Sequence, residues 1–329
     1  MHALLTILAA LFPAYGLIAL GIWVRRIGWL TASADATLIA LTVRLLIPAL
    51  TVRAITRSDA FDSLGDLAVP PLVGAGLSVL GFVVCAIFVM LLGRRCGLST
   101  PAERGAFILC VGLFNYGYLP IPLVRELFPN DADTLATLMI HNIGVDTAMW
   151  TAGLLFLAGR LRAGWWRGLL NPVVLATALA VALKLGTPAL LGHGGAVRAA
   201  ELARPLATLV SLLADAAVPL SLLLTGATIA DVWRQADFRG NLPATAAACA
   251  LRLGVLPPLF LLVALLPLGA PLSRVVLIQA AMPAAIFPIV LARHYGGDAP
   301  TAVRVVVGTQ LAGIVTAPLW LWASGVAAK

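Results

Sequence analysis

Ten apolar runs follow one another along the chain, and this repetition constrains the fold more than any other feature. A helix that crosses the hydrocarbon core of a bilayer needs about 20 mostly apolar residues. The runs are continuous rather than alternating, which excludes a membrane β-barrel. We therefore predict an all-α integral membrane protein with ten transmembrane helices. The predicted spans are Leu4–Val24, Asp35–Arg57, Leu67–Leu92, Glu103–Phe128, Thr134–Ala158, Leu169–Leu185, Ala203–Ile229, Leu242–Leu265, Arg274–His294 and Thr301–Ser324.

The composition excludes the soluble classes of protein. Apolar residues make up 61% of the 329 residues and charged residues 11%, against roughly 45–50% and about 25% in soluble domains. A soluble fold of this size could not cover so much apolar surface, so we expect no soluble enzyme and no nucleic-acid partner. The four cysteines lack the spacing of a metal site, and we predict neither a metal nor a cofactor.

The basic residues indicate the orientation of the chain. The net charge is +8, and most of the arginines lie in the loops of one side, which the positive-inside rule makes cytoplasmic. Arg25 and Arg26 follow the first apolar run instead of preceding it, which favours an uncleaved first span. We predict a multi-pass protein of the cell (inner) membrane with both termini outside the cytoplasm.

A basic segment at mid-chain divides the sequence into two halves. Residues 1–158 hold five predicted spans, residues 159–168 form a basic cytoplasmic linker, and residues 169–329 hold five more. An odd number of spans in each half makes the second half enter the membrane from the opposite side. The predicted architecture is therefore a 5+5 inverted repeat.

Spans 4 and 9 each contain two prolines near the middle. Proline removes a backbone donor and breaks a helix, so we expect interruptions around Pro120 and Pro122 and around Pro283 and Pro288. Simple kinks are the alternative. Matched broken helices in the two halves of a membrane protein point to a transporter site, where half-helix N-termini offer amides to an anion. The predicted substrate-binding residues are Asn115, Tyr116, Gly117, Pro120, Pro122, Asn142, Met282, Pro283, Phe287 and Pro288.

The ordered set of motifs resembles the auxin efflux carrier family of transporters over the whole chain. Asn115, Gly117 and Pro122 match the break of the family's fourth helix, although Pro120 replaces a glycine. Span 7 resembles the family's proline-containing helix at Ala217–Leu220, and span 9 resembles its Met-Pro helix at Met282–Pro283, with Phe287 where a polar residue is frequent. Asn171–Pro172 fits the start of the sixth helix.

The resemblance implies a fold and a mechanism that composition does not. Helices 4 and 9 would cross at the substrate, helices 1, 2, 6 and 7 would form a scaffold, and helices 3–5 and 8–10 would form a moving bundle. Transport would follow an elevator-type mechanism, and the protein would form a homodimer. Bacterial members include carriers of malate, malonate and similar acids.

Five ionisable residues within the spans are candidates for coupling or for charge pairs. Arg44 and Asp215 occupy equivalent places in spans 2 and 7, and we predict that they pair. Asp146, near His141 in span 5, is a candidate for proton coupling or for a polar contact between helices. Arg252 in span 8 is a candidate partner of Asp146 or a counter-charge for an anion.

We predict a secondary transporter of a small organic anion, in which Asn115 holds the carboxylate and protons are the candidate coupling ion. A sodium-coupled carrier of the bile-acid symporter type is the alternative. Membrane enzymes need clusters of Asp, Ser-His or metal-ligating residues, and none occurs at suitable spacing, so we predict no enzymatic activity. A passive channel is a further alternative.

Overall fold

The computed structural model describes residues 2–61, 64–159, 166, 170–186, 198, 201–235 and 240–326. Regular structure in these residues is helical, and β pairing is limited to one isolated bridge between Phe114 and Ala284. We number the main helices α1 to α12. Their bounds are α1 His2–Arg26, α2 Ala32–Arg57, α3 Leu64–Leu92, α4 Pro101–Gly112, α5 Pro120–Leu127, α6 132–158, α7 Pro172–Gly186, α8 Arg204–Gln235, α9 Leu242–Val263, α10 Ala270–Ala281, α11 Pro288–Tyr295 and α12 Ala299–Ala323.

Six of these helices are long and apolar enough to cross a membrane: α1, α2, α3, α8, α9 and α12. The shorter α7 and α10 are also apolar. Many large apolar side chains on these helices are exposed, for example Phe12, Met90 and Leu265. Exposed apolar surface of this extent fits contact with lipid, as expected for a multi-pass membrane protein.

Both predicted interruptions are present. The fourth span consists of α4 and α5, separated by residues 113–119, and the ninth consists of α10 and α11, separated by residues 282–287. Pro120 and Pro288 occupy the first positions of the second helix of each pair. A helix makes no use of the backbone N–H at that position, so proline favours a new start there.

The second half repeats local features of the first. Helices α4 and α10 have 12 residues each, and α5 and α11 have 8 each. An aspartate caps the next helix in both halves: Asp131 accepts a hydrogen bond from the amide of Thr134, and Asp298 accepts one from Thr301. These caps satisfy backbone donors at the start of α6 and α12.

Glycines allow two pairs of helices to approach closely. A Cβ atom on Gly144 of α6 would overlap the carbonyl group of Pro71 in α3, and one on Gly226 of α8 would overlap that of Ile18 in α1. Small residues at helix crossings bring backbones together where no hydrophobic effect drives the association.

The helices pack in two groups. Helices α1, α2, α7 and α8 pack chiefly on one another, and α3, α4, α6, α9, α10 and α12 form the second group. The helix interruptions and α5 lie where the groups meet. Of the predicted linker 159–168, residues 160–165, 167 and 168 lie outside the described part of the chain, as do residues 1 and 327–329 at the termini.

Candidate functional site

The two interruptions meet and bond to each other. The amide of Asn115 donates to the carbonyl of Pro283 at 2.7 Å, and the amide of Ala285 donates to the carbonyl of Leu113 at 3.0 Å. Irregular backbone at membrane depth is tolerated where it is buried in protein or lines a cavity. Here each interruption forms hydrogen bonds with backbone amide and carbonyl groups of the other, which explains why both interruptions are tolerated at this depth.

A cavity of about 410 Å³ lies beside this bridge, between the two groups of helices. One wall consists of the interruptions and α6, and the opposite wall consists of α2 and the start of α7. Its volume falls within the usual range for sites that bind small molecules. Much of the wall is apolar or aromatic, formed by Val43, Ile47, Met139, Met149, Trp150 and Phe287.

Backbone amides are candidate hydrogen-bond donors of this cavity. Five residues of the interruptions line it and have amides with no partner among the described residues: Tyr116, Gly117, Tyr118, Ile286 and Phe287. Buried amides are almost always paired with protein, water or a ligand. These five N–H groups can therefore bind a negatively charged or carbonyl oxygen.

The prolines change which amides face the site. The sequence predicts that the first turns of α5 and α11 offer their amides, but Pro120, Pro122 and Pro288 have none. In α11 the amides of Ile289 and Val290 bond to residues 286 and 287. The donors are therefore the loop amides just before each helix, still at the positive end of the helix dipole.

Two asparagines lie at the cavity. No described residue forms a hydrogen bond with the side chain of Asn115, which is 4% exposed and lines the cavity. The side chain of Asn142 donates to the carbonyl of Tyr116 at 2.8 Å and fixes the interruption. Asn115 is thus available to a ligand, whereas Asn142 has a structural bond.

Asp146 is held by two donors at the edge of the cavity. The hydroxyl of Tyr116 donates to one carboxylate oxygen at 2.6 Å, and the side chain of Asn171 donates to the other at 3.1 Å. The other side-chain atom of Asn171, Oδ1, caps α7 through the amides of Val173 and Val174, which fixes the orientation of the amide group. Asp146 lies on α6 and Asn171 precedes α7, so this bond joins the two groups of helices.

Arg252 does not pair with Asp146, and that prediction is wrong. The Arg252 side chain is 0% exposed, in a π-helical turn of α9. Its guanidinium carbon lies 5.0 Å from the ring centroid of Phe260 and 5.7 Å from that of Phe114. None of its nitrogen atoms has a hydrogen-bond partner among the described residues. The π turn and the two aromatic rings direct the side chain into the protein core rather than towards α6.

His141 also packs beside Phe114. It is fully buried, its ring centroid is 6.3 Å from that of Phe114, and its Nε2 has no partner in the described part of the chain. It does not line the cavity. Phe114 therefore packs near both Arg252 and His141, directly before the residues that line the cavity.

The predicted pair between Arg44 and Asp215 is also wrong. Asp215 accepts hydrogen bonds from Arg53 at 2.8 Å and from Arg125 at 3.4 Å, whereas Arg44 is exposed. Equivalent places in two repeats come together only if both face the axis between them, and Arg44 does not. Asp215, Arg53 and Arg125 line a second cavity of about 780 Å³, together with Pro122 and Arg57.

The predicted site residues divide into two sets. Those that line the smaller cavity are Asn115, Tyr116, Gly117, Asn142, Asp146 and Phe287. Those that do not line it are Pro120, Met282, Pro283 and Pro288, which shape the interruptions, and Pro122 of the larger cavity. Sequence reasoning missed Met149, Trp150 and Asn171 as wall residues. Only the Asn-Pro start of α7 gave a signal, since asparagine before proline marks a helix cap.

Comparison with known proteins agrees with this geometry. The model of a family described as membrane transport protein matches residues 6–164 and, a second time, residues 160–321. No curated protein matches the chain. The two matches together span nearly the whole chain, so the chain belongs to this family of membrane transporters, the auxin efflux carrier family.

Proposed function

We propose that the protein is a secondary transporter that carries a small organic anion across the cell membrane, with the substrate bound at the meeting point of the two interruptions. One observation carries this proposal: five residues that line a cavity between two groups of helices have backbone amides with no partner among the described residues. Unpaired amides beside helix N-termini bind anionic oxygen. A carboxylate there would complete their hydrogen bonds, with the Asn115 side chain as a further donor.

The walls of the cavity favour a substrate with an apolar body. On the same wall as the amides lie Met149, Trp150 and Phe287, with the ring centroids of Trp150 and Phe287 6.2 Å apart. No Lys, Arg or His of the described residues lines this cavity. A second carboxylate would have no cation to bind, so a monocarboxylate fits better than a dicarboxylate.

Transport would proceed by an elevator-type movement. Helices α1, α2, α7 and α8 would be the scaffold, and the other group would carry the substrate within a 5+5 inverted repeat. Several contacts then join the moving and fixed parts, among them Asp146 with Asn171 and Arg125 with Asp215, and these would break and re-form during each cycle. A homodimer and outward-facing termini remain predictions.

A thermal-shift assay on the purified protein tests the proposed substrate class. The probes are indole-3-acetate, phenylpyruvate, malate and malonate, each at mildly acidic and at neutral pH, with and without sodium. A ligand that binds only the folded state raises the midpoint of unfolding. We expect phenylpyruvate or indole-3-acetate to stabilise more than the dicarboxylates, without a need for sodium. Sodium-dependent stabilisation would instead favour a sodium-coupled carrier.

Substitution of Asn115 locates the bound acid. A hydrogen bond to a charged group contributes about 1.5–3 kcal/mol, so Asn115→Ala should weaken binding by about 10- to 100-fold. The matched control is Asn130→Ala, an exposed asparagine of the larger cavity that should bind as the wild type does. Equal binding by both variants, or stabilisation by neutral solutes alone, would contradict the proposal.

A further inference from the structure

Asp146 is the one charged side chain among the described residues that line the substrate cavity. Its carboxylate accepts hydrogen bonds from Tyr116 and Asn171 and has no cationic partner in the described part of the chain. An anion in the same cavity would therefore face a like charge at short range. Two like charges a few Å apart inside a protein repel by several kcal/mol, and a carboxylate in that position takes up a proton instead.

The other titratable groups around α6 do not offset this charge. Tyr116 and Tyr118 face the cavity from the first interruption, and His141 is five residues earlier on α6. From the helices that pack against α6, the remaining groups lie elsewhere. These are Asp35 of α2 bonded to Arg25, the exposed Arg44 of α2, Arg53 and Arg57 of α2 at the larger cavity, the exposed Asp66 and the buried Cys85 of α3, Glu103, Arg104 and Cys110 of α4, Arg125 and Glu126 of α5 at the larger cavity, Lys184 of α7 bonded to Ser58, Arg274 of α10 bonded to Asp131, and the exposed Arg293 and His294 and the half-buried Tyr295 of α11.

Arg252 is the opposite charge in the same group of helices. It is fully buried between Phe114 and Phe260, with no hydrogen-bond partner among the described residues. Arginine stays protonated in proteins, so this positive charge is permanent. A buried charge without a partner in a membrane helix is costly and marks a functional group.

We propose that the carrier binds one proton at Asp146 with each monovalent anion, and that Arg252 balances the charge buried in the moving bundle in both its empty and its loaded form. This inference rests on the proposed function. In the empty bundle the charges of Asp146 and Arg252 cancel. In the loaded bundle Asp146 is neutral, and the charge of the anion cancels that of Arg252.

The proton follows the anion through the cycle. It comes from water on the side where the anion enters and forms an O–H bond with a carboxylate oxygen of Asp146. It returns to water on the opposite side when the anion leaves. A bundle with an anion but no proton, or with a proton but no anion, would carry one net charge into the membrane. Both forms would cross slowly, which couples the two fluxes.

Proteoliposomes with a trapped pH dye test the coupling, with phenylpyruvate as the monovalent probe and malonate as the divalent one. We expect an inward gradient of phenylpyruvate to acidify the lumen by one proton per anion, at a rate that an imposed membrane potential does not change. Malonate with one proton carries a net negative charge, so an inside-negative potential should slow any malonate uptake. Protein-free liposomes measure passive entry of the acids.

The variant Asp146→Asn separates coupling from binding. The asparagine side chain keeps an oxygen that accepts a hydrogen bond from Tyr116, but it cannot take up a proton. The empty bundle would therefore carry the uncompensated charge of Arg252. In the loaded bundle the charge of the anion would still cancel it. The ratio of net phenylpyruvate uptake to exchange of external for internal phenylpyruvate should fall about tenfold or more relative to wild type. Glu201→Gln, at an exposed acid that lines neither cavity, is the matched control.

The outcomes distinguish this inference from the proposed function. Phenylpyruvate uptake without proton movement, or proton-coupled net uptake by Asp146→Asn, would overturn the inference and leave the proposed function intact. If neither acid exchanges in the wild-type protein, the proposed function and the inference both fail.

Discussion

Replacement of Arg252 by methionine should stabilise the protein and impair transport at the same time. The guanidinium group is fully buried, and its contacts are the rings of Phe114 and Phe260. Methionine fills much of the same space without a charge. Variants that damage the core usually lower stability and activity together. A variant with higher stability and lower transport activity would therefore show that the buried charge serves transport rather than folding.

The magnitude follows from the two rings and from the cost of burial. A desolvated cation–π contact contributes about 2 kcal/mol, so two rings supply roughly 4 kcal/mol. The effective penalty for burial of an ion is several kcal/mol, and apolar replacement of buried charges stabilises proteins by about 1–4 kcal/mol in favourable cases. We expect Arg252→Met to gain about 1–3 kcal/mol, which is a rise of a few degrees in Tm.

The rate of transport should fall although the stability of the protein rises. Without Arg252, both the empty and the loaded bundle would carry one negative charge, and we expect turnover in proteoliposomes to fall about tenfold or more. Arg252→Lys is the matched control, because it keeps the charge and should retain most of the transport. A loss of 3–5 kcal/mol in Arg252→Met would show that the guanidinium has an ionic partner. Unchanged turnover would show that the charge is not needed.

Two further predictions concern stability. Gly144→Ala would place a Cβ atom on the carbonyl group of Pro71 and should lower the free energy of unfolding by about 1–3 kcal/mol. Gly76→Ala on the same pair of helices has open space, so its effect on stability should be neutral or slightly stabilising. Thermal unfolding of both variants measures the difference, and an equal loss of stability in both would contradict the close crossing. Partial burial raises the pKa of Asp131, but hydrogen bonds from Thr134 and the ion pair with Arg274 outweigh it, so its pKa lies below the ordinary value. The stabilisation from the ionised carboxylate is present above the unfolded pKa of about 3.9 and is lost as pH falls through the folded pKa. As pH falls over this acid range, Tm should therefore decrease more steeply for wild type than for Asp131→Asn. Parallel curves of Tm against pH for the two proteins would contradict this role of Asp131.

The interruptions could be predicted from sequence because their causes are local. Pro120, Pro122, Pro283 and Pro288 act on the backbone within one turn, so their effect needs no knowledge of neighbouring helices. Asn115, Tyr116, Gly117 and Phe287 of the cavity followed from the same argument, whereas the other residues of the interruptions that line it were not predicted. Asn115 is the clearest case, since a polar residue beside a helix break has few structural uses in an apolar span.

The partners of the buried charges could not be predicted. Whether Asp146 faces Asn171 or Arg252 depends on the rotation and depth of helices far apart in the chain. The apolar pattern of a membrane helix fixes neither, because lipid-facing and protein-facing residues are alike in polarity. Arg44 shows the same limit. Its place in the repeat suggested Asp215 as a partner, but Asp215 forms a salt bridge with Arg53.

The larger cavity shows what a site prediction based on the interruptions leaves out. Its charged residues come from α2, α5, the N-cap of α6 and α8, and they lie far apart in the sequence. Arg53 and Arg125 share one carboxylate oxygen of Asp215. Such a cluster arises only when helices far apart in the chain meet, which no local pattern reveals.

Counterflow in proteoliposomes tests the central claim most directly. Vesicles loaded with unlabelled phenylpyruvate are diluted into a trace of the labelled acid. A carrier that alternates its binding site between the two sides will accumulate label transiently above equilibrium, and Asn115→Ala will reduce this overshoot. Entry of label that rises only to equilibrium, equally in wild type and in Asn115→Ala, would contradict transport through the meeting point of the two interruptions.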